Sequence, residues 1–128
     1  MIPKLRAWDK EDERMRTVSS INFAHEVISC KFAELKPFDL VDKFPIDDVI
    51  LMQSTGLKDK NGVEIYEGDI VKDNLSEKYI VKYNRGFCAY FLYIFDNQEE
   101  FMAIYPNIIL EVIGNIYENP ELLGGADR

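Results

Sequence analysis

Apolar residues recur at every second position in run after run of this chain, and each run stops at a cluster of turn-forming residues. In "MRTVSSINF" (15–23), Met15, Thr17, Ser19, Ile21 and Phe23 fall on one side of an extended backbone. In "HEVISCKF" (25–32), Ile28, Cys30 and Phe32 repeat the beat. Side chains alternate with a period of two in strands, so both runs read as strands. "KLRAW" (4–8), "VILMQST" (49–55), "KYIVKY" (78–83), "FCAYFLYIF" (87–95), "FMAIY" (101–105) and "IILEVIGNIYE" (108–118) read the same way. "DKEDE" (9–13), "NRG" (84–86) and "DNQEE" (96–100) are turns between them. Asn61-Gly62 predicts a two-residue hairpin turn, because both residues tolerate positive φ. Gly68-Asp69 supplies a second bend, and Gly114 permits a bulge in the last strand.

Residues 33–48 break the pattern. Pro37 and Pro45 each remove an amide donor and bias the preceding residue away from helix. The segment reads as a link with a helical turn near 38–43, and a second helical turn is expected at 119–123. The fold class predicted is all-β, with a three-stranded meander and link over 1–48 and a second β unit over 49–128. Tyr66, Ile70, Val81, Phe91 and Ile113 are its predicted core.

A chain of 128 residues that is 47% hydrophobic has the apolar material for a packed core. Its net charge of −8 repels phosphate backbones, so nucleic acid is not the expected partner. The opening "MIPKLRAWDKEDERMR" is charged throughout, and the longest apolar run, Phe87 to Phe95, is only nine residues. Neither fits a secretory leader or a membrane helix, so a soluble intracellular protein is expected.

No catalytic constellation stands out in the sequence. His25 is the lone histidine; "HEVIS" begins like a zinc-protease motif but puts Ser29 at the fifth position, in a strand-like segment. Cys30 and Cys88 lie in apolar runs and read as buried thiols. "DKNGVE" (59–64) has its glycine fourth rather than sixth, which does not suit a calcium loop. No phosphate-binding glycine loop and no nucleophile elbow is present. The expectation is a protein with no catalytic residue, no metal and no cofactor. One enzymatic alternative survives, a metal-dependent hydrolase in which Asp59, Glu64, Glu67 and Asp69 converge. A second alternative is a small nucleic-acid-binding barrel. It would use the cationic hairpin of Arg6, Trp8, Arg14 and Arg16, or the interleaved set Lys78, Tyr79, Lys82 and Tyr83.

The run 87–95 is apolar on both faces. Phe87, Ala89, Phe91, Tyr93 and Phe95 are read as facing inward. Tyr90, Leu92 and Ile94 are read as facing outward, covered either by the chain itself or by another subunit, and so form the candidate oligomer contact.

Three blocks, "LRAWDKEDERM", "ILMQSTGLKDKNGVEIYEGDIVK" and "EVIGNIYENPELL", together resemble the YopX family of phage and prophage proteins. The resemblance spans almost the whole chain and is weakest over roughly residues 24–48 and 74–106. It implies an SH3-like barrel in the C-terminal part (about 49–118) after a β-rich N-terminal part, in a protein of a bacterial host's cytoplasm. It carries no catalytic residues. Residues that match the family's blocks include Trp8, Gly56, Leu57, Asp59, Asn61, Gly62, Glu64, Gly68, Asp69, Gly114 and Asn115. Trp8, Lys58, Asp59, Asn61, Glu64, Glu67 and Asp69 form the candidate recognition surface. The two-sided apolar strand, together with the absence of a catalytic constellation, favours non-catalytic contact with itself, as a homo-oligomer, or with a host or phage protein.

Overall fold

The computed structural model describes residues 4–35, 38–95, 100–105 and 108–124. Its strands are β1 (Leu5–Asp9), β2 (Arg14–Asn22), β3 (Val27–Leu35), β4 (Phe38–Pro45), β5 (Val49–Lys58), β6 (Glu64–Tyr66), β7 (Asp69–Asp73), β8 (Lys78–Asn84), β9 (Ala89–Ile94), β10 (Phe101–Ala103) and β11 (Leu110–Asn115). A 3-10 turn (Ile46–Asp48) and one short helix, α1 (Glu121–Gly124), complete the described elements. The strand pairs are antiparallel. The fold is all-β, as the period-two pattern predicts.

The chain forms two units, one ending at Gln53 and the other beginning at Ser54. The division falls inside β5, whereas the sequence suggests a boundary after residue 48. Val49–Gln53 pair with β1, and Ser54 and Lys58 pair with β6. The connection is thus a continuous strand.

In the first unit the strands run in the order β4-β3-β2-β1-β5. β4 replaces the expected link and helical turn. Pro37 lies outside the described residues. Pro45 ends β4 opposite Val27, and the next amide, Ile46 N, donates to Glu26 O at 2.9 Å. The missing proline donor therefore falls where the ladder stops, which a strand tolerates. Ala7, Ile28, Cys30 and Val49 form the core, with Val18, Ile21, Phe44, Ile46 and Leu51 against it. Asp9 and Arg16 are buried as a pair, Nε donating to Asp9 Oδ2 at 2.9 Å while the guanidinium lies 4.9 Å from the Phe44 ring centroid. Burial pushes the Asp9 carboxyl up, but the amides of Asp12 and Glu11 and the Arg16 guanidinium outweigh it and hold the pKa low.

In the second unit, five strands run in the order β10-β9-β8-β7-β11. The bulge falls between Val112 and Gly114, at the expected glycine. The SH3-like closure is not found among the described residues: β10 pairs with β9 alone and β11 with β7 alone. Ile65, Val71, Tyr79, Val81, Leu92 and Leu110 form the core, and Tyr90, Ile94, Met102, Ile104, Ile108 and Val112 pack on it. Of the predicted core, Ile70 and Val81 are fully buried, whereas Tyr66, Phe91 and Ile113 are half-buried.

Five hairpins open on an Asp or Asn whose side chain gathers the amides of its own loop. Asp9, Asn22 and Asn84 head four-residue loops that close on Glu13, Glu26 and Cys88, with φ of 53°, 55° and 53°. Asp59 and Asp73 head three-residue loops that close on Gly62 and Ser76, with φ of 83° and 65°. In each the acceptor side chain replaces the ladder bonds that end at the turn.

Candidate functional site

The candidate recognition residues are mostly engaged in building loops. Asp59, 8% exposed, accepts from Asn61 N and Val63 N on Oδ1, each at 2.8 Å, and from Val112 N on Oδ2 at 3.0 Å. Burial pushes this carboxyl up, and the amides of Val112, Val63 and Asn61 more than reverse it, so its pKa lies below the usual carboxylate range. The turn it organises is not the two-residue type predicted for Asn61-Gly62. Gly62 N donates to Asp59 O at 3.0 Å and Asp59 N to Val63 O at 2.8 Å, which closes a three-residue loop in which Gly62 alone has positive φ.

Asp69 is buried and accepts from Tyr66 N at 2.7 Å, bracing the Glu67-Gly68 turn. Gly68 N donates to Val81 O at 2.8 Å, and Ile116 N to Gly68 O at 3.0 Å. Glu64 accepts a hydrogen bond from the Ser54 hydroxyl. Lys58 and Asn61 are exposed, Glu67 is half-buried, and Trp8 is half-buried in the first unit. Asp59, Glu64, Glu67 and Asp69 do not form a metal site: among the described residues no three of His, Cys, Asp and Glu are grouped to hold an ion.

Tyr90, Leu92 and Ile94 point the other way from the reading that made them an oligomer contact. Leu92 is 0% exposed and lies in the core, with Tyr90 and Ile94 packed beside it. The reason is register. A three-residue turn at 84–86 would set Phe87 opposite Tyr83 and turn Phe91 inward. The loop instead runs from Arg85 to Cys88, because Asn84 Oδ1 accepts from Phe87 N at 3.1 Å and Cys88 takes positive φ. Tyr83 is then opposite Tyr90, Val81 opposite Leu92 and Tyr79 opposite Ile94. A one-residue slip exchanges the faces of a strand. Cys88, expected to be buried in mid-strand, is exposed in the loop, and Cys30 is buried.

The face opposite that core carries a feature the sequence reading misplaced. Phe87, Phe91, Tyr93 and Phe101 form one ring cluster. Phe91 and Phe101 meet edge to face at 5.1 Å, Tyr93 and Phe101 are 5.1 Å apart, and Phe87 lies 5.4 Å from Phe91 and 6.1 Å from Phe101. Phe87 is 65% exposed and Phe101 38%. Lys82 Nζ lies 5.3 Å from the Tyr93 centroid and Lys78 Nζ 5.8 Å from that of Phe95, within cation–π range. Asn84 Nδ2 donates to the Tyr93 hydroxyl at 3.0 Å. The signal was present in β8. Lys78, exposed, and Lys82, half-buried, lie on one side of β8, and in register they share it with Phe95 and Phe91. Of the interleaved set proposed for nucleic acid, Tyr79 is buried in the core, and Tyr83 packs edge to face on Tyr90 at 5.2 Å.

The profile of the YopX family, described as YopX protein, matches residues 4–124. The chain belongs to the YopX family. This YopX-family chain is similar to protein EF1440 of Enterococcus faecalis, whose crystal structure is 30% identical in sequence over 96% of this chain and 99% of that one, with a TM-score of 0.69. It shares its fold with protein yopX of Bacillus subtilis, at 22% identity and a TM-score of 0.58, over 93% of this chain and 96% of that one. No curated protein matches the YopX-family sequence. No helix among its described residues is long and apolar enough to cross a membrane.

Proposed function

We propose that this chain is a non-enzymatic phage or prophage accessory protein of the bacterial cytoplasm, acting by contact through the aromatic face of β8, β9 and β10. One observation supports the reading above others: three rings on a sheet face and a fourth, Phe87, from the adjoining loop form one cluster, and two of the four are more than a third exposed. Contiguous exposed apolar surface of this kind marks interaction sites. The phage setting rests on the family. The contact expected from the two-sided apolar strand is kept, but its surface moves from Tyr90, Leu92 and Ile94 to Phe87, Phe91, Tyr93 and Phe101.

The test is a double substitution, Phe87→Ser with Phe101→Ser, expressed in a prophage-bearing host. The native chain should elute from the lysate in an assembly larger than one chain. The variant should elute as a single chain and still melt cooperatively, somewhat below the native temperature because the Phe101 ring contacts are lost. A native chain that elutes alone at its natural abundance would remove the reading.

A further inference from the structure

The charges around the aromatic cluster narrow what can cover it. The positions of β8, β9 and β10 on the side away from the Leu92 core are Lys78, Ile80, Lys82, Asn84, Ala89, Phe91, Tyr93, Phe101 and Ala103; Ile80 is itself buried at 1% exposed, so the accessible part is Lys78 and the ring cluster with Phe87 and Phe101. Among these no residue is acidic and two are lysines; of the adjoining segments, the β8–β9 loop adds exposed Arg85 and the segment before β10 adds exposed Glu100. The whole chain carries 23 acidic residues against 15 basic ones, so the strand positions of this face depart from the chain's average in sign. A second copy docked face to face about a two-fold axis would bring this cationic surface against its own duplicate. That juxtaposition of like charges is unfavourable. The partner that fits is anionic and presents flat apolar groups.

Resting on the reading of this face as a contact site, we infer that it takes single-stranded nucleic acid: bases stack on Phe87 and Phe101, and Lys78 and Arg85 neutralise phosphates. Open sheet faces that combine exposed rings with cations bind single strands in this way, because every base has a π-face and the backbone supplies the negative charge. Lys78 and Lys82 are four residues apart on β8, roughly 13 Å along the strand, one on each side of the buried Ile80, so the two cations are separated rather than at a point. The net charge of −8 opposes approach from a distance, and it makes the binding weak and confined to low salt.

The experiment is fluorescence anisotropy with a labelled oligothymidylate and, separately, an oligouridylate, at low salt and across a salt series. Both strands should bind, with log affinity falling by about 0.7 per neutralised phosphate for each decade of salt. Phe87→Ala with Phe101→Ala should weaken binding roughly tenfold or more. Lys78→Gln should flatten the salt dependence by about 0.7. Gel filtration of the lysate before and after nuclease treatment separates a nucleic-acid partner from a protein partner. Absence of binding to either strand at low salt, or binding that the phenylalanine substitutions leave intact, overturns the nucleic-acid assignment. If a nuclease-resistant assembly is then lost in the Phe87→Ser, Phe101→Ser variant, the contact face stands with a protein on it. If the native chain is also alone in the lysate, both readings fall.

Discussion

The Asp59 and Asp73 loops are built on one hydrogen-bond frame and differ at two points. In each, the first aspartate donates its own amide to the carbonyl four residues on (Asp59 N to Val63 O at 2.8 Å, Asp73 N to Glu77 O at 3.0 Å). The amide of the third loop residue donates back to the aspartate carbonyl, from Gly62 or Ser76, at 3.0 Å in both. Oδ1 collects the amides two and four positions on, at 2.8 Å for Asn61 and Val63 and 2.9 Å for Leu75 and Glu77. The differences lie at Oδ2 and at the left-handed residue. Asp59 Oδ2 reaches across the unit to Val112 N, whereas Asp73 Oδ2 accepts from the nearby Tyr79 hydroxyl at 3.0 Å. The closing residue is glycine in one loop and serine in the other. One loop thus ties distant strands together, and the other serves only its own hairpin.

Removing the head residue should separate them most. Asp59→Ala leaves three amides, one of them in β11, without an acceptor in a largely buried site. A loss of about 3 kcal/mol is expected, since a charge-assisted bond contributes about 1.5–3 kcal/mol and buried orphans add to it. Asp73→Ala exposes its loop amides to water, and about 1 kcal/mol should be lost. Urea melts of the two variants measure both. Equal losses would mean that the reach to Val112 adds nothing.

A change to asparagine divides the loops more finely. In Asp59→Asn the carboxamide keeps an oxygen for Asn61 and Val63 but turns its nitrogen toward Val112 N, donor against donor, so the substitution should cost about 1–2 kcal/mol. The Tyr79 hydroxyl can accept as well as donate, so Asp73→Asn should cost under about 0.5 kcal/mol.

Titration gives the same contrast. Burial raises both carboxyls, but hydrogen bonds from Val112, Val63 and Asn61 in one loop, and from Glu77, Leu75 and Tyr79 in the other, bring both below the usual value. A lowered folded pKa contributes stability that is present above the unfolded value, about 3.9, and lost as pH falls below it. Both loops therefore weaken in acid, and Asp59→Asn and Asp73→Asn should each flatten the decline of melting temperature below about pH 4. Only the Asp73 loop should respond to alkali. Burial first, and then the bond and charge of Asp73, push the Tyr79 phenol up to about 12. The fold favours its neutral form, so stability is intact below about pH 10 and declines between there and about 12. In Asp73→Asn the phenolate absorbance should appear at lower pH. If it does not move, burial alone sets the shift.

The two loops also show what the sequence could reveal. Asn61-Gly62 announces a turn to any reader, while Ser76 announces nothing, because serine rarely takes positive φ. The same blindness at Cys88 misplaced β9: a cysteine in an apolar run reads as strand, and only the Asn84 cap shows it to be loop. Alternation then identified the strand but could not orient it, since both of its faces are apolar and the partner's register decides. β4 escaped because Pro37 and Pro45 in the sequence outweigh its weak alternation, and Pro45 is harmless only because the ladder ends there. The aromatic face followed β9 into error, although Lys78 and Lys82 already marked its side of β8.

The smallest effect expected is also the most direct test of the shared frame. A residue with a Cβ in the left-handed region costs about 1 kcal/mol relative to glycine. A Cβ at Gly62 would meet nothing within 4 Å, so only the φ of 83° opposes a side chain there. Gly62→Ser should destabilise by about 1 kcal/mol and Ser76→Gly should stabilise by somewhat less, because glycine's gain at the strained position is partly offset by the greater freedom of its unfolded chain. The double variant, with the two residues exchanged, should then lie within about 0.5 kcal/mol of the native chain, as independent sites add. A large deficit in the exchange, measured by thermal melting, would mean that the Asp59 loop needs more from glycine than its φ, and that the two loops share a hydrogen-bond pattern without sharing an energy.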